Sequence, residues 1–325
     1  MRLGASLIGS GIALALLAGT AAFAQQAQQK VTVAVTAIVE HPALDAARDG
    51  VKKALEEAGY KDGANLSFRY ESAQGQPATA AQIAQKFAGE SPNVIVAIAT
   101  PSAQAMVTAT QTIPVVFTAV TDPVAAQIVK DRKAPGGNVT GISDFSPLEA
   151  QFDLIKELVP AAKKIGVVFN PGEANSVALL NAVKALAPAR NLQIVEASAG
   201  RTADVSAAAQ SLVGKVDALY LPTDNTIISA LGTVLAVGTD NKLPVFTGDT
   251  ESVQKGSVAS IGFDYFQVGL ETGAVVVRIL KGEKPGAIPV SNASGSNLVI
   301  NAKAAAAMGV TVPPAVLARA KQVIN

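Results

Sequence analysis

Hydroxyl, amide and carboxylate side chains recur at one kind of place in this sequence, directly after a short apolar run. VIVAIA is followed by Thr100-Pro101-Ser102, and PVVFTAV by Thr121-Asp122-Pro123. KIGVVF is followed by Asn170-Pro171, with Asn175-Ser176 a few residues on. LYLP leads to Thr223-Asp224-Asn225-Thr226, PVFT to Gly248-Asp249-Thr250, and SIGF to Asp264. Each is a helix N-cap signal, because these side chains accept hydrogen bonds from the free N–H groups of a helix start. Proline suits the first helical turn, where its missing N–H costs nothing. Capping alone accounts for any single site. Gathered in one cleft, the same groups offer hydroxyls, N–H groups and positive dipole ends to an anion, and carboxylates to a cation. A small zwitterion uses both. Ser102 and Thr121 are then expected to hold its carboxylate, and Asp224 or Asp249, from an opposing lobe, its ammonium.

The elements that must position these residues alternate strand with helix. Strands are expected at 30–38, 65–71, 94–99 and 114–119, with helices at 43–59, 78–89 and 102–110. Leu44, Ala47, Val51, Leu55 and Ala58 recur at helical spacing in the first helix, and Gly59 stops it. The rhythm repeats with strands at 164–169, 193–197, 218–221, 244–247 and 257–262. Helices are expected near 146–158, 176–187, 205–212, 226–240 and 266–280. Short β-branched runs between helices of this length imply βαβ units and mainly parallel sheets. The expectation is an α/β protein of two doubly wound parallel-sheet lobes, joined by extended crossings near 141–145 and at Asp264. One lobe takes residues 31–143 and 265–290, the other 144–264 and 291–325. In such lobes all strands point their carboxyl ends at one rim, where ligands bind.

Residues 1–24 read as a secretory signal peptide. Arg2 supplies the charge, an apolar run follows, and Ala22-Phe23-Ala24 is a small-residue cleavage site before Gln25. Removing them from 325 residues leaves 301, enough for two lobes, with 25 basic and 25 acidic residues. That balance offers no footing for nucleic acid or an anionic membrane. There is no cysteine, so neither a disulfide nor an N-terminal lipid is expected. The reading is a free, monomeric protein of the periplasm.

Seven stretches in order, VEHPALDAARDG, ATPSAQA, IPVVFTAVTDPVAAQ, PGGNVTGIS, IGVVFNPGEANS, YLPTDN and GFDYFQVG, resemble the substrate-binding proteins of ABC transporters. The resemblance covers nearly the whole chain after residue 24. It implies the type I periplasmic binding protein fold, with a membrane permease and a cytoplasmic ATPase as partners. Some relatives bind tryptophan or phenylalanine. More distant branched-chain amino-acid binders use a serine after their third strand, an Ala-x-Thr after the fourth and an acidic residue from the second lobe. By motif position these fall on Ser102, on Ala119 and Thr121, and on Asp249. The family's Glu-His-Pro segment falls on Glu40-His41-Pro42, at the end of the first strand. His41, the only histidine, either packs beside the first helix or lines the cleft. The candidate ligand-binding set is therefore Glu40, His41, Thr100, Ser102, Ala119, Thr121, Asp122, Asn170, Asn175, Ser176, Asp224, Asn225, Asp249 and Asp264.

An enzyme is the rival class, and little supports it. A triad needs a histidine base or a substitute, and no G-x-S-x-G elbow is present. The turn after the first strand, Ile38 to Pro42, has no glycine for a dinucleotide. A lone histidine makes a poor metal site, so no metal or cofactor is expected. Asp122 and Asp224 could act as acid and base, but no spacing selects that. Glu56 and Glu57 sit on a solvated helix face. There is no tryptophan to stack on a sugar, although Phe145, Phe263, Tyr265 and Phe266 cluster at the expected crossings. They either pack a hinge or grip an apolar side chain. The resulting expectation is a solute-binding protein for an amino acid, aromatic or branched. The alternatives are a periplasmic sensor, or a binder of another small carboxylate, amide or sugar.

Overall fold

The computed structural model describes residues 30–325, so the expected signal peptide lies outside the described residues. The chain first lays down β1 (Val31–Ala37), α1 (Pro42–Glu57), β2 (Leu66–Ser72), α2 (Pro77–Glu90), β3 (Val94–Ile98), α3 (Thr100–Ala109), β4 (Val115–Val120) and β5 (Val139–Ser143). It then crosses to α4 (Leu148–Leu158), β6 (Lys164–Phe169), α5 (Ala174–Leu186), β7 (Gln193–Ser198), α6 (Val205–Gln210), β8 (Ala218–Leu221), α7 (Asn225–Ser229), α8 (Leu231–Asp240), β9 (Val245–Thr247), α9 (Glu251–Lys255) and β10 (Ala259–Gly262). It returns through α10 (Tyr265–Leu280) and β11 (Ser291–Asn292), and finishes with β12 (Asn297–Asn301), α11 (Ala302–Ala307), α12 (Pro314–Ala318) and β13 (Gln322–Ile324).

The first sheet runs β2-β1-β3-β4-β5-β11 and is parallel throughout. The second runs β7-β6-β8-β9, again parallel. A small third sheet, β10-β12-β13, completes the second half. Each half has its own hydrophobic core. One gathers Val33, Val35, Ile95, Phe117 and Val268, the other Phe152, Val167, Leu219, Tyr220 and Ile300. The complete burial of β3 and β4 follows from helices covering both sheet faces.

Both strand orders reverse direction beside the first strand of the half, between β1 and β3 and between β6 and β8. Such a reversal leaves a crevice outside the carboxyl ends of the strands. In the first half the crevice receives Ile38–His41 and the start of α3. In the second it receives Asn170–Glu173 and Pro222–Asn225.

Three details depart from the sequence expectations. The segment expected to start a crossing at Gly141 is still β5, and Ser143 closes it. Ser291 and Asn292 pair with Ile142 and Ser143, so the first sheet extends two residues past the expected boundary at 290. The helix expected over 226–240 breaks at Ala230, whose torsions (φ −105°, ψ 15°) separate α7 from α8. The apolar period continues through that break, which is why periodicity does not show it.

The return helix α10 fixes the first half from outside. A Cβ on Gly269 would lie 2.2 Å from the Ala47 carbonyl oxygen, and one on Gly50 2.2 Å from that of Phe266. Only glycines let α1 and α10 cross this closely. The crossing holds the amino end of α1, with His41 at its N-cap, over the rim.

Candidate ligand-binding site

The facing rims close on a cavity of about 20 Å³, room for little more than a water molecule while the lobes are together, so a larger ligand must part its walls. The first half contributes His41, Ala43, Leu44, Ala119 and Thr121. The second contributes Asn175, Thr223, Asn225, Ile228 and Asp249, while Asp144 and Tyr265 come from the connections. A larger groove of about 520 Å³ opens to solvent along the cleft between Pro77, Gln104, Gly172 and Thr202. Of the candidate residues it meets only Asn170 and Asn225. The smaller cavity is the better site because polar atoms in its wall are buried without partners. They are His41 Nδ1, Asp144 Oδ1, Asn175 Oδ1 and Thr223 Oγ1. Buried polar atoms are nearly always paired in folded proteins, so a wall carrying four of them is built to meet something.

Charge sharpens this. Asp144 and Asp249 are buried in the wall, and no lysine or arginine lines it. Burial raises the Asp144 carboxyl to about 6, against the pull of its Tyr265 hydrogen bond. Burial also raises Asp249, although Ser252 donates its backbone N–H and its hydroxyl to the two oxygens at 2.7 Å each. Buried carboxylates without a cation are costly, and a cationic ligand removes that cost.

Rim backbone is strained on the first half. Ala99, after β3, has φ +74°, and Ala119, in β4, has φ +53°. The register of β4 against β5 shifts between Phe117 and Val120. Left-handed alanines are uncommon and tend to mark functional turns. The helix expected from Ser102 already begins at Thr100, with Ala99 as N-cap and no side-chain cap. Thr100 and Ser102 therefore lie in the first turn of α3. Their hydroxyls are buried and unpartnered, but outside the cavity wall.

The remaining candidates divide by position. Glu40 is exposed and outside the cavity. Asp122 does not cap a helix, because its Oδ1 takes the N–H groups of Val124 and Ala125 in a turn. Asp264 caps α10 through the Gln267 N–H and faces a separate outer groove with Phe266. Asp224, expected as an ammonium partner, is saturated. It accepts from Asn170 N (2.6 Å), Ser176 Oγ (2.5 Å) and Ile227 N (3.0 Å). Burial and the Glu173 carboxylate push its pKa up. Asp224, Ser176 and Asn170 thus form a frame behind the wall.

Glu173 belongs to the same frame and was not a sequence candidate. It accepts from the side chains of Asn170, Asn175, Asn225 and Thr226 and from the backbone of Asn225 and Thr226. Asp144 was missed as well. The rule of looking after each strand would have found it, had β5 been read as a strand rather than a crossing. Among the crossing aromatics, Tyr265 enters the wall, Phe263 packs on the first core, and Phe145 and Phe266 are exposed. His41 sits in the wall beside Asn225 of the other half. Its ring is held to about 4, chiefly by burial, against the Asn225 hydrogen bond. No group of three metal-ligating side chains occurs among the described residues.

Residues 32–324 match the family model for ABC transporter substrate binding protein. The chain belongs to that family. Its fold is that of the type I periplasmic binding proteins, and the family binds solutes rather than transforming them. The tyrosine-binding protein of Clostridioides difficile is 42% identical over 269 residues, 83% of this chain and 78% of that one. An ABC domain from Streptococcus pneumonia in complex with L-Trp is 36% identical over 91% of this chain and all of that one, with a TM-score of 0.88. A substrate-binding protein with adhesive properties from Clostridium difficile, in its ligand-free open form, is 40% identical over 91% of this chain and 99% of that one. Its TM-score is only 0.68. The open structure is the closer of these two in sequence and the further in shape. The lobes of this substrate-binding protein are therefore arranged as in the ligand-bound relative. No helix among the described residues is long and apolar enough to cross a membrane.

Proposed function

We propose that this protein captures a free aromatic amino acid between its lobes in the periplasm and delivers it to an ABC permease driven by a cytoplasmic ATPase. The observation that carries this is a buried cavity whose carboxylates, Asp144 and Asp249, have no basic partner. An α-ammonium supplies the missing charge, through charge-assisted hydrogen bonds worth about 1.5–3 kcal/mol net. Thr121, from the same wall, faces the α-carboxylate. Ala43, Leu44 and Ile228 give the apolar wall that a ring requires. The tyrosine and L-Trp named for the two relatives support an aromatic side chain. Both lobes touch the ligand, so binding favours the closed state. The site is complete within one chain, so a monomer suffices.

The test is to unfold the purified protein, wash away any ligand, refold it and record thermal melts against each amino acid. A ligand at about 100 times its Kd should add about 2.7 kcal/mol. Because the chain has no tryptophan, bound L-Trp can also be followed by its own fluorescence. A melt moved by a sugar and by no amino acid would overturn the reading.

A further inference from the structure

We propose that Glu173 presents a bare hydrogen-bond acceptor to the cavity, Asn175 Oδ1, and that it selects an aromatic amino acid bearing a side-chain donor over phenylalanine. This rests on the aromatic amino-acid reading above and adds which side chains are accepted and what reads them.

The amide of Asn175 is fixed by what its nitrogen meets. Nδ2 donates to Glu173 Oε2 at 3.3 Å and to the Thr223 carbonyl at 3.0 Å. Both partners are acceptors, so the flipped amide would set oxygen against oxygen. Oδ1 must point away from them. It is buried in the cavity wall with no partner, and an amide oxygen can only accept.

The same carboxylate orients Asn225, whose Nδ2 donates to Glu173 Oε2 at 2.5 Å. The His41 ring lies beside Asn225, and its Nδ1 is buried in the same wall without a partner. A nitrogen of a neutral imidazole carries either a proton or a lone pair, so His41 Nδ1 can donate or accept. Thr223 Oγ1, also unpartnered there, can donate or accept.

A buried acceptor calls for a donor from the ligand. The ammonium has donors, but the carboxylates of Asp144 and Asp249 attract it more strongly than neutral acceptors do. A phenol O–H or an indole N–H answers the remaining demand. Phenylalanine brings only C–H and leaves a desolvated acceptor unpaired. Sites built to hydrogen-bond an O–H or N–H reject analogues that lack it.

The experiment is calorimetric titration of the ligand-stripped protein with L-Tyr, L-Trp and L-Phe, for wild type, Asn175→Ala and His41→Leu. Asn175→Ala leaves Glu173 its donors from Asn225 and Thr226. His41→Leu is the comparison, with the Asn175 amide intact. Wild type should bind L-Tyr or L-Trp at least tenfold more tightly than L-Phe. In Asn175→Ala that gap should shrink to threefold or less, because the donor-bearing ligand weakens and L-Phe does not, while in His41→Leu it should persist. A gap that collapses in His41→Leu and persists in Asn175→Ala overturns the assignment to Asn175. Phenylalanine binding within threefold of both others to wild type overturns the selection while leaving the amino-acid reading intact. Equal weakening of all three ligands by Asn175→Ala overturns it too, since the amide oxygen would then hold the ammonium. Wild type that binds none of the three overturns the amino-acid reading, and the selection with it.

Discussion

The Tyr265 hydroxyl donates to Asp144 Oδ2 at 2.5 Å, and both residues are buried. Asp144 directly follows β5 and Tyr265 opens α10, so the bond ties together two of the chain's crossings between lobes. The other oxygen of Asp144 is unpartnered in the cavity wall. A cation that meets it contacts the hinge itself. Asp144→Asn keeps the shape and removes the charge. Ligand affinity should fall more than a hundredfold, since breaking a buried pair costs about 3–5 kcal/mol. The ligand-free melting temperature should hold or rise, because an uncompensated buried carboxylate is gone. Titration calorimetry beside thermal melts separates the two effects.

Acidity should loosen the grip. Burial holds Asp144 at about 6 in the folded protein, above its unfolded value of 3.8. The folded state therefore binds the proton more tightly, and the Asp144 contribution to ligand-free stability should fall as pH rises from about 4 to about 6, with Asp224 and Glu251, both raised to about 7, carrying the fall on to about pH 7. Binding runs the other way, because the cationic ligand needs the ionised form. Affinity should be flat above pH 7 and about tenfold weaker at pH 5. His41, held near 4, stays largely neutral between pH 5 and pH 7. An affinity unchanged between pH 7 and pH 5 would remove Asp144 from the ammonium site.

Asp224 should matter for folding rather than for ligand. Its oxygens receive two backbone N–H groups and the Ser176 hydroxyl, all buried. Asp224→Ala strands those donors, each at about 1–3 kcal/mol. Urea unfolding should show a loss of about 3 kcal/mol or more. The fraction that remains folded should bind ligand within a few-fold of wild type.

The α1–α10 crossing should tolerate no side chain. Gly269→Ala places a Cβ 2.2 Å from the Ala47 carbonyl oxygen, and backbone cannot give way as a side chain can. A loss of about 3 kcal/mol is expected, at the upper end for overpacking, read as a lowered urea midpoint. Gly232→Ala, where a Cβ meets nothing within 4 Å, is the neutral control.

Closure should follow the ligand. The protein matches the L-Trp-bound relative at a TM-score of 0.88 and the ligand-free open one at 0.68. Small-angle scattering of the stripped protein should show a larger radius of gyration, which contracts on adding the amino acid that shifts the melt. A radius that does not respond to a bound ligand would mean the lobes are rigid.

Much of this was legible in the chain. Apolar β-branched runs such as VIVAI and VVFTAV, cut by helical periods, determine parallel strands under helices, because only burial on both faces makes such runs stable. The polar residues after each run then had to gather at strand ends, as His41, Thr121, Asn175, Asn225 and Asp249 do in the cavity wall. What sequence alone left open is the direction each side chain takes once a competing donor is near. Asp224 and Asp249 look alike as strand-end aspartates. Asp224 is taken up behind the wall by Asn170, Ser176 and Ile227, while Asp249 lines the cavity. Asp144 carries the strand-end mark only once β5 is recognised as a strand, and its role comes from Tyr265, 121 residues away; Glu173 carries no such mark, and its role comes from Asn225, 52 away. Local pattern sets which face of an element is buried. Only the meeting of distant segments sets which buried polar atom is left without a partner.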